Sequence, residues 1–328
     1  MTNAGLDIPI YLSLGTALAF GLVLLADFWI VDRRPHSFST KDATKWVLFY
    51  VSLAVLFGVL LFFIFRDSDG GEVAGQFFAA YLTEYSLSID NLFVFLVIMT
   101  SFSVPSQLQH RVLLVGVILA LIFRAILIFV GVGAINSFQP TFILFGVFLI
   151  WTAYKVAADR HVSEEDEEQP NNFLVKLVSR IAPTLDEYHG HKLTVKQNGV
   201  RYLTPLLLVM VAIGGTDIMF ALDSIPAVLG LTTEPFIVIA SNAFALMGLR
   251  QLFFLLQGLI QKLVHLARGI AIILAFIGVK LLLIGIEKTF DVQTIHFNTF
   301  VSLGVIIVVL AITTISSLWV AKRNGTEA

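Results

Sequence analysis

Two aspartates stand where carboxylates are expensive. Asp217 and Asp223 belong to IGGTDIMFALDSIPAVLG, Ile213 to Gly230, inside an apolar run that begins near Leu203. A charge at the centre of a bilayer costs about 2.5–3.5 kcal/mol on insertion scales, so such groups face a bundle interior or a watery path. Pro226 removes a backbone donor and crowds the carbonyl of Leu222, four residues earlier, beside Asp223. With Ser224 and the nearby glycines, these groups form a candidate cation site built of oxygen atoms. The same spacing occurs earlier, in Glu84 and Asp90, and Asn91 follows directly. Six residues along a straight helix separate side chains by about 120° and about 9 Å. Neither pair can therefore close on one ion from a regular helix: either the helix is distorted, or each run contributes one acid to a central site and its other acid does something else. Asp90 and Asp223, each followed by a polar residue, are expected at the centre, with Glu84 and Asp217 supporting them.

All-oxygen ligands suit manganese, calcium or magnesium. The seven histidines fall in expected loops or at span ends, and there is no cysteine, which argues against a zinc or copper centre. It also excludes disulfides and haem attachment through this chain. Met219, between the two aspartates, reads as packing rather than as a thioether ligand.

The elements that must position these acids are membrane helices. The 328 residues are 57% hydrophobic and 13% charged, with mean hydropathy +0.89; a soluble chain is nearer 25% charged. Nine segments have the roughly 20 apolar residues that cross a bilayer: about 8–31, 45–65, 76–100, 110–134, 141–158, 203–230, 235–260, 268–287 and 297–320. The first has no basic leader or small-residue cleavage site and reads as a span rather than a signal peptide. Alternate connections hold 15 basic residues against two, Arg66 and Lys288, on the opposite side. That bias predicts an outside N-terminus and a cytoplasmic C-terminus. The loop 159–202 is then cytoplasmic, its run Glu164–Glu168 a solvated acidic stretch, with a short surface helix expected over Asn171–Ile181.

Intramembrane charges recur in order. Glu84, Asp90, Arg124 and Lys155 precede Asp217, Asp223, Arg250 and Lys280, each set spread over three helices. An odd number of helices forces two such units into opposite orientations, the inverted repeat found in secondary transporters. The expected architecture is an all-α polytopic membrane protein with an inverted 3+3 core. Repeat one covers about 76–158, repeat two about 203–287, and the flanking helices are about 8–31, 45–65 and 297–320. The plain alternative for the acids is ion pairing with Arg124, Arg250, Lys155 and Lys280. Lys155 and Lys280 lie near span ends and can snorkel, while the deeper arginines pin acids or neutralise an empty site. Asn242, eight residues before Arg250, either lines the path or makes structural hydrogen bonds.

Several segments resemble the TerC family: TEYSLSIDNLFVF (Thr83–Phe95), TDIMFALDSIPA (Thr216–Ala227), FSVPSQLQHRVL (Phe102–Leu113), KQNGVRYLTPLLLV (Lys196–Val209), EPFIVIASNAFALMGLR (Glu234–Arg250) and FIGVKLLL (Phe276–Leu283). The resemblance implies export of manganese, or of calcium in some members, across the bacterial cytoplasmic membrane, within a family historically tied to tellurium resistance. It assigns Glu84, Asp90, Asn91, Asp217 and Asp223 to the metal. In one departure, Gly214 stands where many members carry an acid three residues before Asp217.

The expected function is export of a divalent cation, manganese first, by proton antiport through these carboxylates, with Arg124, Arg250 and Lys280 balancing charge. The expected partners are the metal cation and the bilayer, with no cofactor, no enzymatic role and no nucleic acid. The rivals are calcium export, a passive cation channel, a scaffold acting through loop 159–202, and an intramembrane aspartyl protease, which the misplaced glycines of GGTD (Gly214–Asp217) disfavour.

Overall fold

The structure is a computed structural model that describes residues 8–33, 40–67, 70–158, 182–185, 187–197, 199–257, 265–295 and 297–323. The acidic run Glu164–Glu168 and the helix expected over Asn171–Ile181 lie outside the described residues, as do the side chains of Asp90 and Arg250. The helices are α1 (Ile10–Arg33), α2 (Thr40–Ile64), α3 (Gly70–Ser101), α4 (Ser106–Ser137) and α5 (Thr141–Ala158). A hairpin of β1 (Thr194–Gln197) and β2 (Val200–Leu203) follows. Then come α6 (Pro205–Leu229), α7 (Pro235–Leu246), α8 (Leu249–Gln257), α9 (Leu266–Phe290) and α10 (Thr299–Arg323).

Six helices are long and apolar enough to cross a membrane: Asp42–Ile64, Gly70–Ser101, Ser106–Ile135, Pro205–Leu229, Ala267–Phe290 and Thr299–Val320. Ile10–Val23, Thr141–Ala157 and Pro235–Leu246 are shorter apolar helices. Six of the nine expected spans are thus matched by helices of full spanning length among the described residues. Large apolar side chains such as Phe63, Val130, Leu144, Ile315 and Trp319 are exposed on the outside of the bundle. An apolar surface of this extent belongs in lipid.

The seventh expected span, 235–260, is not one helix. It breaks between α7 and α8, where Met247 is extended (ψ 131°) and Gly248 takes φ +79°. Only glycine enters that region without a steric penalty, and a Cβ there would stand 2.8 Å from the Tyr50 ring. By contrast, Pro226 does not end α6, which continues to Leu229, and the Gly230 N–H donates to the Pro226 carbonyl at 3.0 Å. Pro205 opens the same helix at its first turn, where a missing N–H costs nothing.

Helix α3 packs on α7, α4 on α6 and α5 on α9, while α3 also meets α6. Helices α2 and α10 flank α3. The α5–α9 contact is a backbone approach: a Cβ on Gly146 would lie 2.8 Å from the Gly278 carbonyl oxygen, and one on Gly278 would lie 3.0 Å from the Gly146 carbonyl oxygen. Between α4 and α6, Gly116 lets Ile213 in, and Gly214 sits against Leu119, which a Cβ would approach to 3.1 Å. Gly214 is therefore part of a tight helix–helix contact.

The loop before α6 carries structure that the spacing of spans does not predict. Strands β1 and β2 pair antiparallel, Thr194 with Leu203 through Gln197 with Val200, and Gly199 between them takes φ +83°. Asn-Gly between short strands is the sequence signature of a hairpin. Tyr188 ties the loop to the end of α3 by donating its hydroxyl to the Phe102 carbonyl at 2.8 Å. Burial pushes the Tyr188 phenol up to about 12, so it remains the donor at neutral pH.

Candidate functional site

A fully buried polar cluster draws one residue from each of four helices. Glu84 on α3 is 0% exposed, Arg124 on α4 1%, Asp217 on α6 1% and Asn242 on α7 2%. The Arg124 Nη1 is ion-paired with Glu84 Oε1 and donates to Asn242 Oδ1 at 3.2 Å. Its Nη2 donates to Asp217 Oδ1 at 3.5 Å. Glu84 and Asp217 sit near the middle of long apolar helices, and three side chains crossing to one guanidinium bind α3, α4, α6 and α7 to each other. Asp223, six residues after Asp217, thus lies on another face of α6, as the spacing requires.

The cluster is incompletely satisfied. Glu84 Oε2, Asp217 Oδ2, Arg124 Nε and Asn242 Nδ2 are buried without hydrogen-bond partners among the described residues. Buried polar groups without partners cost about 1–3 kcal/mol each, more when charged, and are accounted for in native folds by strain, function, a bound water or an ion. Two carboxylates against one guanidinium leave one negative charge in excess. Hard divalent cations take carboxylate oxygens of this kind.

Asp223 stands apart from that cluster. It is half-buried on α6, and Thr152 on α5 donates to its Oδ1 at 3.5 Å. Asn91 is buried on α3, 6% exposed. Among the described residues no three carboxylates or imidazoles converge on one point. The structure therefore brings together Glu84 and Asp217, with Arg124, and gives Asp223 a contact with Thr152; the expected pairing of Asp90 with Asp223 falls on a side chain outside the described residues. Met219 is 67% exposed and faces out of the bundle, so it neither packs in the core nor reaches the acids.

The lysines differ from each other. Lys155 is exposed, its Nζ 5.8 Å from the Trp151 ring centroid. Lys280 does not snorkel: it is 7% exposed and donates to Ser302 Oγ on α10 at 3.1 Å. Close by, Glu72 on α3 accepts from Gln76 at 3.1 Å and from the Thr299 hydroxyl, and Thr232 donates to Gln76 at 2.7 Å. Gln76, Thr232, Lys280 and Glu287 help line a cleft of about 330 Å³. This second polar network was missed from the sequence because its members, apart from Lys280, are uncharged or lie at helix ends. Thr152 was missed likewise; nothing local marks a threonine as the partner of an acid 71 residues away.

A bundle of apolar-surfaced helices around a buried, ion-paired centre defines a multi-pass integral membrane protein of transporter type. Residues 69–325 match the model of the integral membrane protein TerC family, and the chain belongs to that family. An uncharacterized membrane protein of Mycobacterium bovis is 42% identical over 328 residues, covering 96% of this chain and 82% of its own. The "Putative membrane-bound redox modulator Alx" of Escherichia coli K12 is 37% identical over 322 residues, 95% of this chain and 96% of its own. The protein of that name from Salmonella typhi is 38% identical over 319 residues, 94% of each chain. No solved structure matches the chain.

Proposed function

We propose that the protein is a secondary transporter that exports a divalent cation, with manganese as the cargo, in exchange for protons. One observation carries the reading: Glu84 and Asp217, from two separate helix triplets, meet at a buried centre with an oxygen left over on each. Oxygen ligands without thiolate or imidazole favour manganese or calcium. Asp90, Asn91 and Asp223 complete the proposed ion path, with Arg124, Arg250 and Lys280 balancing charge. Carboxylates that accept either a dication or protons supply the exchange.

An inverted repeat of α3–α5 with α6–α9 fits the packing. Exchanging the triplets turns the α4–α6 contact into the α3–α7 contact, and maps α5–α9 onto itself. The reciprocal approach of Gly146 and Gly278 suits a two-fold axis between them. Lys155 and Lys280 then lie nine and two residues beyond those glycines and are not equivalents. The proposed setting is the bacterial cytoplasmic membrane, with the N-terminus outside and the hairpin loop inside. A thiol-based redox role, which the name of the Alx relatives brings to mind, would need another protein's cysteines, since this chain has none.

The test is manganese flux in proteoliposomes containing wild type, Glu84→Gln, Asp90→Asn or Asp223→Asn, with and without a pH gradient. We expect flux that the gradient accelerates and that each substitution lowers at least tenfold. Flux indifferent to all three acids would overturn the site. Acid-dependent flux indifferent to the gradient would replace the exchanger with a channel, and calcium flux without manganese flux would change the cargo.

A further inference from the structure

The proposed cation site is already filled by a cation that belongs to the chain. Arg124 holds one oxygen of Glu84 and one of Asp217, the two acids that an ion bridging α3 and α6 would use. A divalent ion on carboxylates needs its oxygens at about 2.0–2.6 Å. A divalent ion taking the free oxygens, Glu84 Oε2 and Asp217 Oδ2, would stand within a few ångströms of the guanidinium held on the other two, and in a buried site such like charges repel strongly enough to favour one occupant over both.

Two of the three contacts, to Asp217 and to Asn242, are loose. A guanidinium built in as a permanent strut engages carboxylates through paired parallel bonds, and a buried ion pair is favourable only when its remaining lone pairs are satisfied. Here neither acid is gripped by both oxygens. The Asp217 contact is long at 3.5 Å, and Glu84 Oε2, Asp217 Oδ2 and Arg124 Nε are unpartnered among the described residues. Asn242 Oδ1, at 3.2 Å from Nη1, is a neutral third support supplied by the other triplet. The arginine side chain is long enough to move its head by a few ångströms without moving α4. Charge favours the swap: the two acids carry −2, which one dication neutralises completely and the guanidinium only by half.

We propose that Arg124 is the resident counter-cation of the Glu84–Asp217 site, displaced when the divalent cargo binds and returning to expel it. This rests on the transport reading above and adds the device that keeps affinity low enough for release. Removing the competitor tightens binding and slows turnover together. A merely structural arginine gives the opposite pattern, with binding and turnover lost in parallel.

The experiment is equilibrium binding of manganese to the detergent-purified full chain, paired with flux in proteoliposomes, for wild type, Arg124→Gln, Asn242→Ala, Glu84→Gln and Asp217→Asn. We expect Arg124→Gln to bind manganese at least tenfold more tightly, with a lower KM and a maximal flux reduced at least tenfold. Asn242→Ala, which loosens the arginine's third support, should tighten binding two- to fivefold and decides the matter if Arg124→Gln does not fold. Binding unchanged or weaker in the folded variants overturns the proposal. Binding that also ignores Glu84→Gln and Asp217→Asn overturns the site itself, whereas loss of binding in those two without tightening in the others removes only the role of Arg124.

Discussion

At the scale of single residues, the central arginine has more carboxylate than it can neutralise, and that imbalance sets how substitutions combine. Neutralising Glu84 alone leaves Arg124 opposite Asp217, and neutralising Asp217 alone leaves it opposite Glu84; either way one buried pair of balanced charge persists. Neutralising both leaves a guanidinium 1% exposed with only Asn242 beside it. Leaving one member of a buried pair uncompensated costs about 3–5 kcal/mol. We therefore expect Glu84→Gln and Asp217→Asn to purify as folded protein, and the double variant to melt far lower or fail to accumulate. Adding Arg124→Gln to the double variant should restore folding. The measurement is thermal unfolding of detergent-purified protein, and additive losses in the double variant would contradict this reading of the cluster. The acids themselves were legible in the sequence, because a charge in an apolar run stands out. Which acid faces which helix was not: the rotation of α3 and α6 about their axes is set by packing partners such as Gly116 against Ile213 and Gly214 against Leu119.

At the scale of elements, the same small residues decide how near the helices come. The apolar runs announced most of the helices, and the Asn-Gly pair carried a hairpin signal within a loop otherwise dominated by charge. The break at Gly248 had no comparable mark. A glycine within an apolar run can sit inside a helix at a cost of about 1 kcal/mol against alanine or interrupt it, and only the positive φ and the press of Tyr50 distinguish this one. Gly278 differs again, because its hydrogen stands where backbone from α5 would meet a methyl group. Ala at Gly278 would approach Ile150 at 2.9 Å, the Gly146 carbonyl oxygen at 3.0 Å and the Ile150 nitrogen at 3.1 Å, whereas a Cβ on Gly133 of α4 meets nothing within 4 Å. Overpacking of a close contact costs about 1–3 kcal/mol, while Ala in an open helix position is favoured over Gly by about 1 kcal/mol. Gly278→Ala should lower the melting temperature and Gly133→Ala should leave it equal or raised. Equal effects at the two positions would mean that α5 and α9 are not held by backbone contact.

At the scale of the whole molecule, the inverted arrangement stands or falls on a count of crossings. Two three-helix units point in opposite directions only if each contains an odd number of crossings, and in the second unit α7 and α8 together must make one. Alone, α7 rises about 18 Å over its 12 residues and α8 about 14 Å over its nine at 1.5 Å per residue, each short of the roughly 30 Å hydrocarbon core. End to end they reach about that thickness; folded back at Gly248 they form a re-entrant pair that crosses nothing. A chain without cysteine separates the two cases directly. Val200 in β2 is 46% exposed and Val292, after α9, is 52% exposed, with α6, the α7–α8 pair and α9 between them. If α7–α8 crosses, three crossings put the two positions on opposite sides. The excess of basic residues around the hairpin loop then places Val200 inside. Val292→Cys should react with a membrane-impermeant maleimide in intact cells, and Val200→Cys only after permeabilisation. Labelling of both positions from the same side would make α7–α8 re-entrant. It would leave the buried centre of Glu84, Arg124, Asp217 and Asn242 intact but remove the two-fold relation between the helix triplets that supply it.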